Sequence, residues 1–115
     1  MTSYRAGADL ERAARLYLAD NGYYVARSAG SKGVADIIAA KPGEWLLVQC
    51  KRDGKLTPRE RADLMEIASW VDATPLLAWW QKDGRQARRV VFAVVVSIRP
   101  PLYVPWTPDH AMEAS

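Results

Sequence analysis

The chain has 115 residues, half of them hydrophobic and a quarter charged, the proportions of one compact domain and not of a disordered or two-domain chain. Sixteen Lys and Arg against 13 Asp and Glu leave a formal charge of +3, which permits a polyanionic partner without demanding one. The single cysteine, Cys50, excludes an internal disulfide, no apolar run reaches the roughly 18 residues of a membrane span, and Met1-Thr2-Ser3-Tyr4-Arg5 lacks the apolar core of a secretory signal. A cytoplasmic protein with no membrane partner is expected.

From Ala8 to Asp20 the apolar residues Leu10, Ala13, Ala14, Tyr17 and Leu18 recur at helical spacing, and Asn21-Gly22 supplies a stop. Tyr23 to Arg27 has the aromatic and β-branched character of a strand, and Ser28 to Gly33 reads as a small polar loop. Two further strand-like runs, Val34 to Ala40 and Trp45 to Lys51, flank Lys41-Pro42-Gly43-Glu44 and predict a β-hairpin. An L-Pro-Gly pair does not suit the primed two-residue turns, so a slightly longer loop is expected. Thr57-Pro58-Arg59-Glu60 combines an N-cap, a proline at the first helical position and a glutamate at the third, which starts a second helix. Its stripe is Leu64, Ile67, Ala68 and Val71, and it must end before Pro75. Leu76 to Trp80 and Arg88 to Ile98 read as two more strands joined across Asp83-Gly84. The order α-β-β-β-α-β-β predicts an α/β domain over residues 1–99, with a mixed central sheet flanked by helices. Residues 100–115 form a proline-rich tail that cannot enter a sheet interior.

A hairpin centred between Pro42 and Gly43 places Asp36 opposite Gln49, with Lys51 on the same side because strand side chains alternate. A carboxylate, an amide oxygen and an ammonium then meet among apolar neighbours. Asp36 sits in Gly33-Val34-Ala35-Asp36-Ile37-Ile38-Ala39, where an unpaired buried charge costs several kcal/mol, so something must stabilise it. An Asp36–Lys51 salt bridge with Gln49 as bystander is the plain structural answer. Glu11, at the edge of the first helix's apolar stripe, can face both sheet and solvent, and alone it would be a solvated helix glutamate. Together, two carboxylates and an amide oxygen suit Mg²⁺ or Mn²⁺, with a neighbouring lysine to orient or polarise a water.

Several segments resemble the core of the PD-(D/E)XK nucleases. They are Arg5 and Gly7 before Glu11, then Arg27-Ser28-Ala29-Gly30-Ser31 before Val34-Ala35-Asp36-Ile37-Ile38, then Leu47-Val48-Gln49-Cys50-Lys51. Within that superfamily the chain is most similar to the archaeal-type Holliday junction resolvases, from about Arg5 through the strand at Leu76 to Trp80. The resemblance implies a restriction-endonuclease-like core and a metal-dependent, structure-selective endonuclease that resolves four-way DNA junctions by paired phosphodiester hydrolysis. It also implies that Glu11 and Asp36 are acidic residues that bind Mg²⁺ or Mn²⁺, that Lys51 is the catalytic lysine, and that Ser31 is a serine implicated in catalysis. The peptide carbonyl of Cys50 would complete the ligand set. Gln49 departs from the glutamate usual in these resolvases. Glutamine occurs there in the related VRR-NUC nucleases, so the metal is expected to be held more weakly, and flaps, forks or nicked duplex are alternative substrates. A non-catalytic DNA-binding module on the same fold is the reading from another class.

Arg5, Arg12, Arg15, Arg27, Lys32, Arg52 and Lys55 flank the site in sequence and would supply phosphate contacts, the alternative being ordinary surface charge. Lys82, Arg85, Arg88 and Arg89 form a second basic cluster near the last hairpin. A homodimer would match the two-fold pseudo-symmetry of a junction, with the apolar strands at Leu76 to Trp80 and Val90 to Val96 as its self-complementary surface. Tyr103 and Trp106 are expected to strap onto the partner subunit or to stack on unpaired bases.

Overall fold

In the computed structural model, which describes residues 2–28, 33–85 and 87–108, the first apolar stripe folds as helix α1 (Thr2–Asp20). Leu10, Ala14 and Leu18 are fully buried, as the periodicity requires, although the helix begins earlier than the stripe does. It ends where the Asn21-Gly22 signal places the stop. Gly22 adopts φ +93°, the Tyr23 N–H reaches back 3.1 Å to the Leu18 carbonyl, and Asn21 Nδ2 donates to the Tyr17 carbonyl at 2.8 Å. These bonds satisfy carbonyls that the helix end leaves open.

Strands β1 (Tyr24–Arg27), β2 (Ile37–Lys41) and β3 (Glu44–Cys50) form an antiparallel meander. The β2–β3 register, from Ile37↔Val48 to Lys41↔Glu44, is the one predicted from a centre between Pro42 and Gly43. Two expectations need correction. The loop is only Pro42-Gly43, because Gly43 at φ +78° takes the second turn position behind a proline with fixed φ, the arrangement of a type II turn. In addition, β2 begins at Ile37 and not at Val34.

Helix α2 (Pro58–Trp70) opens with the complete capping box at Thr57 and Glu60. Leu64 and Ala68 are buried, but Val71 is its C-cap and is 54% exposed, so it leaves the predicted stripe, while Arg61 joins the buried face. The helix is the crossover that lets β4 (Thr74–Asp83) run parallel to β3. Pro75 lies inside β4, opposite Leu47 and before the pairing with β5 begins at Leu76, so its missing N–H breaks no rung on that side.

Strands β5 (Ala87–Ser97) and β6 (Leu102–Trp106) complete a six-stranded sheet in the order β1-β2-β3-β4-β5-β6, mixed through its one parallel pair. Residues 102–106 of the proline-rich segment are therefore an edge strand, with Pro105 on the outermost ladder. Tyr103 and Trp106, expected against a partner or on bases, pack inside the chain. Trp106 meets Phe92 edge-on at 5.6 Å and Tyr23 at 6.3 Å, and the Tyr103 hydroxyl accepts a weak 3.4 Å bond from Arg61. β4 and β5, expected as a self-complementary surface, already have strand neighbours on both sides, β5 over its Phe92–Ser97 part.

Each face of the sheet carries its own core. Ala14 and Leu18 of α1 pack with Ile37, Ala39, Leu46, Val48, Leu76, Ala78 and Phe92, whereas Leu64 and Ala68 of α2 pack with Leu47, Leu77 and Val95. Strand alternation assigns successive residues to opposite helices. Among the described residues no helix is long and apolar enough to cross a membrane.

Candidate functional site

The site lies where β2 begins and β3 ends. Asp36 is the residue ahead of β2, and its backbone is pinned on both sides. Its N–H donates to the Val48 carbonyl at 2.7 Å, and its own carbonyl accepts from the Ser28 N–H at 3.0 Å. The carboxylate Oδ2 accepts from the Cys50 N–H at 2.8 Å, so the end of β3 orients the acid at the start of β2. Burial raises the Asp36 pKa above the ordinary aspartate value. The Cys50 hydrogen bond and the charge of Lys51 oppose that shift, and the charges of Glu11 and Glu60 add to it.

Glu11 reaches the same corner from α1. Its Oε2 lies 2.9 Å from Nε of Arg27, the last residue of β1, in an ion pair that lacks hydrogen-bond alignment. That oxygen is shielded from solvent and has no hydrogen-bond donor. Arg27 was expected on phosphate, and here its guanidinium, still 60% exposed, is shared with Glu11.

Lys51 follows β3 directly, with its N–H bound to the Ala78 carbonyl of β4 at 2.9 Å. Its ammonium sits 2.6 Å from Glu60 Oε2, in place of the Asp36 salt bridge that the sequence suggested. Glu60 is the residue that sequence reasoning missed as part of the site. It was visible as the capping-box glutamate, whose Oε1 accepts from the Thr57 N–H at 2.8 Å, but the box leaves a second oxygen free to hold a cation. Burial pushes the Glu60 pKa up, but the hydrogen bonds from Lys51 and Thr57 outweigh it and the net shift is downward.

The remaining predicted residues divide by position. Cys50 contributes its backbone, while its thiol is pushed far up by burial and by the charges of Asp36 and Glu11, which keeps the sulfur unreactive. Gln49 is half-buried on β3, opposite Leu77 of β4. Arg15 is half-buried and its charge is felt at Cys50, so it turns toward the site, whereas Arg12 is exposed. Arg52 and Lys55 are exposed in the turn after β3. Arg5 lies in the first turns of α1 with its side chain outside the described set, and Ser31 and Lys32 lie outside the described residues.

The donors present suit a hard divalent cation. Two carboxylates of like charge share one corner, Asp36 desolvated and Glu11 paired with the largely exposed Arg27, and a divalent cation between them would relieve their mutual repulsion. Among the described residues no three His, Cys, Asp or Glu side chains form a metal cluster. The acidic pair is Glu11 and Asp36, and the strand position beside them carries the uncharged Gln49.

A curated relative, the crossover junction endodeoxyribonuclease Hjc of Methanocaldococcus jannaschii, is 48% identical over 52 residues, which are 45% of this chain and only 38% of the relative's length. The solved structure of Archaeoglobus fulgidus Hjc, a Holliday junction resolvase from an archaeal hyperthermophile, matches with a TM-score of 0.59 at 26% identity, over 74% of this chain and 70% of that one. Residues 2–99 match the sequence profile of the archaeal Holliday junction resolvases (Hjc). That span runs from the start of α1 to just past the end of β5 and includes every side chain of the acidic corner, so the chain belongs to the archaeal Holliday junction resolvase family.

Proposed function

We propose that this protein is a divalent-metal-dependent endodeoxyribonuclease that resolves four-way DNA junctions by hydrolysing a phosphodiester in each of two symmetry-related strands. The observation that carries the reading is the pairing of a desolvated Asp36 and Glu11 at the end of a strand that delivers Lys51 to the same corner. A binding module has no use for such a group of opposed charges on a half-buried strand end. Glu11, Asp36, Gln49 and the Cys50 carbonyl would hold Mg²⁺ or Mn²⁺. When bound, such a cation supplies Lewis-acid polarisation of the phosphate and a more acidic water.

The chain's own groups do the rest. The Cys50 N–H fixes which Asp36 oxygen is spoken for and leaves the other for ligation. Glu60 holds the Lys51 ammonium at the end of β3, from which it can donate to the attacking water or to the phosphate oxygen on which negative charge develops. Ser31 is assigned a catalytic role by family likeness. Gln49 contributes an oxygen without charge, so the site should bind its metal less tightly than a three-carboxylate set. The same residue favours a second reading, in which flaps, forks or nicked duplex are the preferred substrates.

The test is a labelled four-way junction incubated with Mg²⁺ or Mn²⁺ beside a duplex of matching sequence. Symmetric paired nicks are expected from the unmodified chain, and Asp36→Ala or Lys51→Ala should abolish cutting while leaving junction binding largely intact. Undiminished cutting by either variant would overturn the assignment. Two coupled cuts call for two sites, so a two-fold homodimer is part of the proposal. Sedimentation at micromolar concentration should show it, and a monomer that still makes paired nicks would remove it.

A further inference from the structure

β3 and β4 run parallel with Cys50 opposite Ala78, so both strands point the same way out of the site corner. β3 stops there, while β4 continues through Trp79 to Asp83 and β5 returns from Ala87, with Trp80↔Val90, Gln81↔Arg89 and Lys82↔Arg88 as rungs. The ladder between β5 and β6 ends at Phe92↔Trp106, so beyond it the sheet narrows to these two strands. Five extended residues carry this arm about 17 Å past the level of Cys50.

The arm is strongly basic, matched in charge over nine residues by the stretch 51–59 that follows β3. Residues 81–89 hold Lys82, Arg85, Arg88 and Arg89 against one acid, Asp83, a balance of +3 that equals the formal charge of the whole protein. Lys82 and Arg88 are direct cross-strand neighbours and both are exposed. Like charges so placed repel, a cost that strand pairing alone gives no reason to keep. Arg88 lies over the Trp80 ring at 4.2 Å. A guanidinium stacked in this way is held in place while its in-plane N–H donors stay available for an acceptor such as a phosphate.

We propose that the β4–β5 arm grips the phosphate backbone of the DNA beyond the scissile phosphate, with Lys82 and Arg88 as its paired contacts. The identity of the polyanion rests on the nuclease reading, whereas the arm itself follows from the strand register and its charge. The experiment measures binding to a four-way junction and to matching duplex across a range of salt concentrations. Removing two phosphate contacts with Lys82→Ala and Arg88→Ala together should flatten the slope of log K against log salt by about 1.8. Arg59→Ala, a surface cation on α2 paired with Asp63, should leave the slope unchanged. The double variant loses the Arg88–Trp80 stack together with the cross-strand repulsion, so a cooperative melt close to the parent's is the check that a changed slope reports on phosphate contacts and not on unfolding. An unchanged slope in a parent that cuts junctions would overturn the arm and leave the nuclease reading intact. A parent that binds DNA but never cuts it would overturn the nuclease reading, with the slope still deciding the arm. A parent that binds no DNA would overturn both.

Discussion

Asp36 is held where its charge is unwelcome, and the cost has a measurable sign. Its pKa in the folded chain lies above the ordinary aspartate value, chiefly through burial, so the folded state holds that proton more tightly than the unfolded state does. Stability is therefore lost as pH rises from the ordinary aspartate range through the raised value, and the loss is complete above it. Asp36→Asn keeps an oxygen for the Cys50 N–H and removes the charge. In metal-free buffer at neutral pH it should melt higher than the parent, and the gain should vanish in acid below the ordinary aspartate pKa of about 3.9. A lower melt at neutral pH would show that desolvation is not the dominant effect. Glu60 has the opposite sign: its lowered pKa contributes stability that is present above the ordinary glutamate value and fades as pH falls through the folded one. The position of Asp36 at the end of β3 was legible in the sequence, because hairpin symmetry and strand alternation fix register without any tertiary knowledge. The partner of Lys51 was not. Lys51 lies one residue beyond the strand, where alternation no longer dictates direction, and a helix from the other side of the sheet supplies the carboxylate.

At the scale of elements, α2 separates what local sequence encodes from what packing decides. Its start is fully local, since the capping box and the proline act within a few residues of one another. Its buried face is not, because Arg61 stands at helical spacing ahead of Leu64 and Ala68 yet is charged, and a hydrophobic pattern passes over it. The guanidinium donates to the Leu56 and Ile98 carbonyls and weakly to the Tyr103 hydroxyl, and so joins the loop before α2, the turn after β5 and the edge strand. Arg61→Met fills most of the volume but leaves two carbonyls without charge-assisted donors. It should cost about 3 kcal/mol in urea unfolding. An unchanged midpoint would mean that water replaces the guanidinium at both carbonyls. The turn between β2 and β3 shows two local rules in competition: the general preference of hairpins for primed turns pointed to a longer loop, and the specific Pro-Gly chemistry gave a two-residue turn.

At the scale of the molecule, one sheet separates two cores, and the acidic corner draws on both helices: α1 brings Glu11 over one face and α2 brings Glu60 from the other. The family match ends at residue 99, whereas the sheet runs to Trp106, so β6 lies beyond the matched span yet pairs with β5. Proline content pointed to exclusion from a sheet interior, which is correct as far as it goes, but composition does not distinguish a free tail from an edge strand. What decides is side-chain burial. Trp106 closes an aromatic stack with Phe92 and Tyr23, and β6 covers the β5 edge from Phe92 to Ser97. A chain ending after Arg99 would expose that edge and the Phe92 ring, and it would leave Arg61 without Tyr103. Loss of the aromatic burial alone should cost roughly 3 kcal/mol, seen as a lower urea midpoint with a smaller dependence on denaturant. The exposed edge should also promote association at high concentration. A truncated chain with an unchanged midpoint would show that the two cores are complete without the sixth strand.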